Sequence, residues 1–266
     1  MELNDKITVV TGAGSGIGKA SAIAFANEGA RHVVVADLNG DHAQAVADQI
    51  GDRAQAVALD VADAAAVEAL CDQIEADVGP IDLFFSNAGY GQRGGLNIST
   101  EDWQRMMDVH FTAHLHVAKI LVPRMVGRGG GYLFSTASAA GLLTQMDSGP
   151  YAVSKAAAVA FAEWLSINYG EQGIKVSVLA PQAVRTHIIG DDLSAWDKHA
   201  DSGQASQDGI LEPEDVAAVV VQTIRDENFL CLPHPQVKTY IQRKAGDVDR
   251  WITGMQRFKK KLDDAE

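Results

Sequence analysis

Cysteine is nearly absent from this chain of 266 residues, since only Cys71 and Cys231 occur. Two thiols outside any CxxC pair make no disulfide framework and no zinc or redox motif. Long apolar runs are also absent: no stretch reaches the roughly 18 consecutive apolar residues of a membrane-spanning helix. The N-terminal segment is acidic and lacks the basic start of a secretory signal. We therefore predict a protein of the reducing cytoplasm, with no membrane partner.

Basic side chains are few. The chain has 22 Lys and Arg residues against 35 Asp and Glu residues, so its formal net charge is −13. Such a surface repels phosphate backbones and anionic lipid, so nucleic acid is not expected as a partner. Hydrophobic residues make up 47% of the chain and charged residues 21%, ordinary values that exclude a disordered or collagen-like chain. A chain of this length is expected to form one large core.

Short β-branched runs alternate with longer alanine-rich helical patterns along the whole chain. The expected strands cover residues 7–10, 33–36, 55–59, 83–86, 132–135, 176–179 and 229–232. The expected helices cover residues 17–28, 41–50, 64–77, 101–126, 151–169 and 213–225. Because the strands are continuously apolar, this order predicts an α/β fold, a doubly wound parallel sheet of about seven strands flanked by helices.

Two segments depart from this alternation. Residues 186–209 are polar and lack periodicity, and a loop of more than about 15 residues is typical of an active-site lid or binding loop. Its apolar residues Ile188, Ile189, Leu193 and Trp196 are candidates for a cover over a bound ligand. The tail, residues 232–266, is expected to pack on a neighbouring subunit or to close the pocket. No second domain is visible, so residues 1–266 are predicted to form one domain.

A glycine-rich turn, TGAGSGIG at residues 11–18, joins the first predicted strand to the first predicted helix. Glycines at such a junction allow a tight turn and a close approach of the backbone to a pyrophosphate, which then lies on the helix N-terminus. The residues expected to hold a dinucleotide are Gly12, Ser15, Gly16, Ile17 and Gly18. A plain structural turn between strand and helix is the alternative interpretation.

Asp37 ends the second predicted strand, about 20 residues beyond the glycine turn. Its carboxylate can accept hydrogen bonds from the adenosine ribose hydroxyls and repels a 2′-phosphate. No Lys or Arg follows at Leu38 or Asn39, and Ser15 in the glycine turn is neutral. NAD is therefore predicted as the cofactor in preference to NADP, and a solvated loop carboxylate is the competing interpretation.

Tyr151 and Lys155 are four residues apart at the start of a predicted helix, and so project from the same helical face. A fixed cation nearby favours the phenolate and lowers the phenol pKa from its ordinary value of about 10. A base that removes the proton of an alcohol needs such a shift. We therefore expect Lys155 to lower the pKa of Tyr151.

Together these motifs resemble the short-chain dehydrogenase/reductase family over nearly the whole chain. The matching elements are the glycine turn, Asp37, Asp60-Val61, Asn87-Ala88-Gly89, Ser138, the YAVSK run from Tyr151 to Lys155, and Pro181 with Val184 and Thr186. The resemblance implies a nicotinamide-dependent oxidoreductase with a single Rossmann-type domain, assembled as a homotetramer or homodimer.

The resemblance also implies a catalytic role for three residues. It makes Tyr151 the general acid/base, and Lys155 the partner that lowers the Tyr151 pKa and holds the nicotinamide ribose. Ser138, 13 residues before Tyr151, would hydrogen-bond the reacting oxygen of a small alcohol or ketone.

Further cofactor contacts follow from the same resemblance. Asp60, with Val61 beside it, would meet the adenine amine, and Asn87 would lie on the adenosine side. Val184 and Thr186 would hold the carboxamide of the nicotinamide.

Three positions depart from the family's pattern. His110 stands inside the helix predicted over residues 101–126, where the family has an Asn that completes a catalytic tetrad and anchors a water relay to the lysine. A neutral imidazole can hold a relay water, but one that charges near pH 6.5 would add a cation beside Lys155. A core histidine with a backbone hydrogen-bond partner is the competing interpretation. Gln182 replaces the glycine that usually follows Pro181, and Ser86 replaces the first Asn of an Asn-Asn-Ala-Gly element.

Three functions are compatible with the sequence. The first is an NAD-dependent oxidoreductase that transfers hydride between the cofactor and a small or medium secondary alcohol or its ketone. The second is an NADPH-preferring carbonyl reductase. The third is a cofactor-binding protein with weak or no turnover, because His110 disables the relay. No metal site is predicted, since His110 and His114 share a helical face but lack a third ligand. No motif identifies the substrate.

Overall fold

The computed structural model describes residues 1–186 and 206–264. The strands found over these residues are β1 (Ile7–Thr11), β2 (His32–Asp37), β3 (Ala54–Ala58), β4 (Leu83–Ser86), β5 (Gly131–Thr136), β6 (Ile174–Leu179) and β7 (Leu230–Cys231). They form one parallel sheet in the order β3-β2-β1-β4-β5-β6-β7. The predicted doubly wound Rossmann-type sheet is confirmed.

Helices connect the strands and cover both faces of the sheet. Over the described residues they are α1 (Gly16–Asn27), α2 (Gly40–Ile50), α3 (Ala64–Asp77), α4 (Thr100–Met107), α5 (Ala113–Gly127), α6 (Ala139–Leu143), α7 (Gly149–Tyr169), α8 (Pro213–Asp226), α9 (Gln236–Gly246) and α10 (Val248–Asp263). Helices α1, α2 and α8 pack on one face, and α3, α5 and α7 on the other. None of these helices is long and apolar enough to cross a membrane.

Burial on both faces explains why the strands are apolar without alternation. Strand β1 is buried along its whole length. In β4, Phe84 belongs to the apolar cluster on one face and Phe85 to the cluster on the other, and neither ring is exposed. A parallel sheet between two helical layers requires this pattern. The sheet is therefore the buried core of the fold. Most polar residues predicted for the site lie at the carboxyl ends of its strands and in the loops that follow them.

The predicted helix over residues 101–126 is interrupted, so the expectation of one continuous helix was wrong. Helix α4 ends at Met107, a π-helical turn covers Asp108–Thr112, and α5 begins at Ala113. A π-helical turn inserts an extra residue into the helical hydrogen-bond ladder, frequently at a functional site. His110 lies within this turn and is fully buried.

The C-terminal tail contains α9 and α10, and α9 packs on α6 of the same chain. Val237 in α9 is fully buried against Ala139 and Leu143 of α6. Lys244 Nζ donates a hydrogen bond to Leu142 O at 2.7 Å. Helix α10, by contrast, has no buried residue. The tail therefore supports the helix that directly follows the predicted catalytic Ser138.

The lid predicted over residues 186–209 lies for the most part outside the described residues. Its apolar candidates Ile188, Ile189, Leu193 and Trp196 all belong to that part. Of the described residues at its two ends, Thr186 is partly exposed and Ser206 is buried.

Candidate active site

A cavity of about 750 Å³ opens at the carboxyl ends of the strands. Doubly wound sheets bind their ligands at this edge. Most residues predicted from the sequence line it: Gly12, Ser15, Gly16, Ile17, Asp37, Asp60, Val61, Asn87, Ser138, Tyr151, Lys155, Val184 and Thr186. Gly18 and His110, although described, are not lining residues of this cavity.

The glycine turn has a shape that only glycine permits. Gly12 and Gly16 have φ values of 61° and 52°, which L side chains rarely adopt. A Cβ on Gly16 would lie 2.8 Å from Thr186 Cγ2, and a Cβ on Gly18 would lie 2.1 Å from Gly12 O. Gly18 therefore allows α1 to pack on the turn and does not border the cavity. With Ser15 at the N-cap of α1, the turn fits the pyrophosphate of a dinucleotide.

Asp37 ends β2 and presents its carboxylate at the cavity. The Oδ2 atom accepts a hydrogen bond from Gly14 N at 2.8 Å, and Oδ1 accepts one from Asn39 N at 2.9 Å. These backbone donors fix the orientation of the carboxylate. Because a carboxylate oxygen accepts more than one hydrogen bond, both atoms can still accept from ligand hydroxyls.

Asp60 and Val61 form the cavity wall that follows β3. Asp60 Oδ1 accepts from Ala62 N at 3.0 Å, and Oδ2 accepts from Arg105 Nη2 at 2.9 Å. Burial raises the pKa of Asp60, but these two hydrogen bonds outweigh burial and the pKa is lowered. Arg105 lines the cavity as well. No sequence motif identified Arg105, because its contact with Asp60 depends on how α4 packs.

The Asn87 side chain joins three strand ends. Its Nδ2 donates to Thr11 O at 3.1 Å and to Gly12 O at 3.4 Å, while its Oδ1 accepts from Thr136 Oγ1 at 2.9 Å. Asn87 lines the cavity, but these hydrogen bonds of its amide lie within the protein. Its contacts therefore shape the cavity wall between β1, β4 and β5.

Ser138, Tyr151 and Lys155 come together in the cavity from the end of β5 and the start of α7. Ser138 Oγ donates to Pro181 O at 3.3 Å, and the Tyr151 hydroxyl is hydrogen-bonded with Ser138. Lys155 Nζ lies 5.6 Å from the centroid of the Tyr151 ring and donates to Thr136 O at 2.9 Å. The hydroxyl, the phenol and the amine therefore border one space.

The pKa values in this group differ from the sequence expectation. Burial raises the pKa of Tyr151, and the hydrogen bond with Ser138 offsets only part of this effect. Burial also lowers the pKa of Lys155 to about 7. The expectation of a lowered Tyr151 pKa is therefore wrong: desolvation of the phenolate dominates, and Lys155 is only partly charged at neutral pH.

His110 links the loop after β4 to α7. Its Nε2 accepts from Tyr90 N at 3.1 Å, and its Nδ1 lies 2.9 Å from Ser154 Oγ, which donates to Tyr151 O at 3.0 Å. Since a backbone N–H can only donate, the imidazole proton resides on Nδ1. Burial, followed by the charge of Lys155, lowers the pKa of His110 well below 6.5.

The structure corrects the expectations of a relay water and of a charge at His110, and it shows the competing arrangement, a core histidine with a backbone partner. The ring does not hold a relay water, because both nitrogens are hydrogen-bonded to the protein, and it does not charge near pH 6.5, because it is buried. Sequence reasoning missed its partners Tyr90 and Ser154, and Thr136 beside Lys155. Two of these contacts use a backbone atom of the partner, and the third joins the side chains of His110 and Ser154, which lie on different helical segments. Across residues 1–186 and 206–264, no three His, Cys, Asp or Glu side chains are grouped as metal ligands.

Comparisons with known proteins identify the family to which this chain is similar. The family described as short chain dehydrogenase matches residues 6–196. A cyclohexanol dehydrogenase of Acinetobacter sp. (strain SE19) is 31% identical over 85% of this chain and 90% of its own length. The 7alpha-hydroxysteroid dehydrogenase of Escherichia coli (strain K12) is 30% identical over 88% and 89%.

Solved structures show the same likeness. The crystal structure of a short chain dehydrogenase/reductase from Burkholderia phymatum in complex with NAD matches with a TM-score of 0.83 at 29% identity, over 94% of this chain and 96% of that chain. The family match covers well over half of the sequence. The chain therefore belongs to the short-chain dehydrogenase/reductase family of oxidoreductases.

Proposed function

We propose that this oxidoreductase uses NAD to interconvert a secondary alcohol and its ketone, with Tyr151 as general acid/base. One observation carries the proposal: Ser138, Tyr151 and Lys155 border the same cavity as the glycine turn and Asp37. A relative named for cyclohexanol and another named for a hydroxysteroid support a ring-borne alcohol as the substrate class.

The glycine turn would hold the pyrophosphate of the cofactor, and Asp37 the adenosine ribose. The NAD complex of a relative supports this choice of cofactor. Asp37 opposes the alternative, an NADPH-preferring reductase, because its carboxylate repels a 2′-phosphate. When bound, the nicotinamide ring supplies the hydride acceptor and, in its oxidised form, a positive charge.

Ser138 and Tyr151 would manage the substrate oxygen and its proton. Ser138 Oγ is restrained by a long hydrogen bond of 3.3 Å to Pro181 O, from which its proton can turn to a substrate oxygen. Tyr151 Oη takes the alcohol proton during oxidation and returns it during reduction. Lys155, anchored on Thr136 O, retains donors for the hydroxyls of a cofactor ribose.

Replacement of Tyr151 by Phe tests the proposal, because it removes the hydroxyl and keeps the ring. We expect kcat for NADH formation, measured over a panel of secondary alcohols that includes cyclic diols and steroids, to fall by about 10²–10⁴-fold. In the wild type, oxidation should accelerate as pH rises, because burial raises the pKa of Tyr151 and a deprotonated phenol is required.

Tyr169→Phe, the same change at the far end of α7, is the matched control and should leave kcat unchanged. Undiminished turnover in the Tyr151→Phe variant would remove this residue from the mechanism. Comparison of NAD with NADP in the same assay tests the role of Asp37.

Homo-oligomerisation, a cytoplasmic location and a single domain with a lid over residues 186–209 remain predictions. For the first, Trp164 and Ile167 expose apolar side chains on α7, and the Trp164 ring stacks on Phe161. An exposed apolar face of this kind suits contact with a second copy of the chain.

A further inference from the structure

Gln182 lies in the loop after β6, where the family usually has glycine, and its side chain has no role in the mechanism above. It lines the cavity together with its neighbours Pro181 and Ala183. A long polar side chain at this position would be expected to sample several rotamers. The structure instead holds both its amide group and its backbone.

The Gln182 amide is held by a carboxylate. Gln182 Nε2 donates to Asp208 Oδ2 at 2.5 Å, and the other oxygen of Asp208 accepts from the Tyr240 hydroxyl at 3.0 Å. An ionised carboxylate only accepts hydrogen bonds, so it selects the NH₂ group of the amide. The orientation of the Gln182 amide is therefore determined, and Tyr240 on α9 fixes the carboxylate that determines it.

The same arrangement leaves the amide oxygen of Gln182 available. Among the described residues no group donates to Gln182 Oε1, and this atom is not among the buried polar atoms that lack a partner. It is consequently accessible, on a side chain that lines the cavity. An oriented carbonyl oxygen at such a place is an acceptor for a ligand N–H or O–H group.

The backbone around Gln182 is restrained as well. Gln182 N donates to Nδ1 of the buried His234 at 3.2 Å. The preceding carbonyl, Pro181 O, accepts from Ala139 N at 2.9 Å and from Ser138 Oγ at 3.3 Å. The acceptor on Gln182 therefore has a fixed position relative to the hydroxyl proposed to hold the reacting oxygen.

We propose that Gln182 Oε1 accepts a hydrogen bond from the carboxamide NH₂ group of the nicotinamide cofactor, and that Asp208 and Tyr240 are positioning residues for this contact. The choice of donor follows from chemistry and rests on the proposed function. At the reacting carbon a ketone has no donor, and the hydroxyl proton of an alcohol goes to Tyr151. The ribose hydroxyls of the cofactor are the expected partners of Asp37 and Lys155. The carboxamide NH₂ group has two hydrogens, so one is left for Gln182 Oε1 in both directions of the reaction when Val184 or Thr186 holds the other.

Binding of two reduced dinucleotides tests this inference without turnover. One is NADH, and the other is reduced 3-acetylpyridine adenine dinucleotide, in which a methyl group replaces the amide NH₂. Gln182→Met keeps the length of the side chain and removes its acceptor. We expect Gln182→Met to weaken NADH binding about threefold to tenfold, the effect of one hydrogen bond, and to leave binding of the analogue unchanged. Gln182→Gly, the family's usual residue, should behave in the same way.

The role of the positioning residues is tested with Tyr240→Phe, which removes only the hydroxyl that holds Asp208. We expect a smaller loss of NADH affinity, and no further loss when Tyr240→Phe is added to Gln182→Met, because the effect passes through Gln182. Tyr169→Phe is the control for the same chemical change outside the cavity.

Equal weakening of NADH and of the analogue in Gln182→Met would overturn the carboxamide contact. An equal effect of Tyr240→Phe with and without Gln182→Met would overturn the positioning role. Failure of this inference is distinct from failure of the proposed function. In the first case the wild type binds NADH and oxidises alcohols while the variants match it. In the second the wild type does not oxidise secondary alcohols with NAD, whatever dinucleotide binding the variants show.

Discussion

The protonation state of His110 is set by its neighbours and has a measurable consequence. Tyr90 N and Ser154 Oγ occupy both ring nitrogens, and burial lowers the pKa of this imidazole well below 6.5. In the unfolded chain the imidazole titrates near pH 6.5, so the unfolded state binds the extra proton first. The contribution of the neutral His110 to the free energy of unfolding is therefore fully present above about pH 6.5, and it is lost progressively as the pH falls below that value.

His110→Asn tests this linkage, because Asn does not titrate. We measure the free energy of unfolding of the wild type and of the variant with urea. The value for the wild type minus the value for the variant should fall by about 1.4 kcal/mol when the pH is lowered from 7.5 to 5.5. His114, buried nearby with its pKa lowered to about 3, is present in both proteins and cancels in the comparison. A difference that stays constant over this range would mean that the pKa of His110 is the same in the folded and the unfolded chain.

Sequence spacing was sufficient to locate Ser138, Tyr151 and Lys155, because the strand ends and the first turns of α7 bring them to one cavity. Their protonation was not predictable in this way. The pKa of Tyr151 depends on how completely surrounding elements remove water from the phenol, and spacing within one helix contains no such information.

At the scale of elements, periodicity predicted the sheet and most helices, but it missed the interruption at Asp108–Thr112 and the docking of α9. A π-helical turn retains helical periodicity on either side, so the apolar pattern does not reveal it. The docking of α9 depends on a few contacts with a distant segment, centred on the fully buried Val237.

Val237→Ala tests the contact between α9 and α6. Removal of two buried methyl groups, together with the cavity left behind, should lower the free energy of unfolding by about 2 kcal/mol. Hydrogen exchange should accelerate in α9 before the rest of the chain, because this helix has few other buried residues. Ile252→Ala on α10, where the side chain is about half exposed, is the control and should change stability by less than about 0.5 kcal/mol. An equally small effect of Val237→Ala would show that α9 does not depend on this contact.

At the scale of the whole molecule, the cavity is built from loops that follow every strand from β1 to β6, so a ligand that fills it contacts segments far apart in the chain. A ligand that binds only the folded state stabilises it by about 2.7 kcal/mol at 100 times its Kd. For a protein of this size, that corresponds to a rise in Tm of roughly 5–10 °C. Which dinucleotide produces the rise depends on Asp37, whose carboxylate is fixed by Gly14 N and Asn39 N.

We therefore expect NADH to raise Tm more than NADPH at equal concentration, measured by scanning calorimetry at low ionic strength. Asp37→Ser should reduce the difference between the two rises in Tm. The rise with NADH becomes smaller because an acceptor for the ribose hydroxyls is lost, and the rise with NADPH becomes larger because a negative charge that opposes the 2′-phosphate is removed. Asp41→Ser, four residues further along in the first turn of α2, removes the same charge and should leave the difference intact. A larger rise with NADPH than with NADH in the wild type would contradict the role of Asp37. A narrowing caused equally by Asp41→Ser would mean that net charge alone, and no contact at the end of β2, determines the preference.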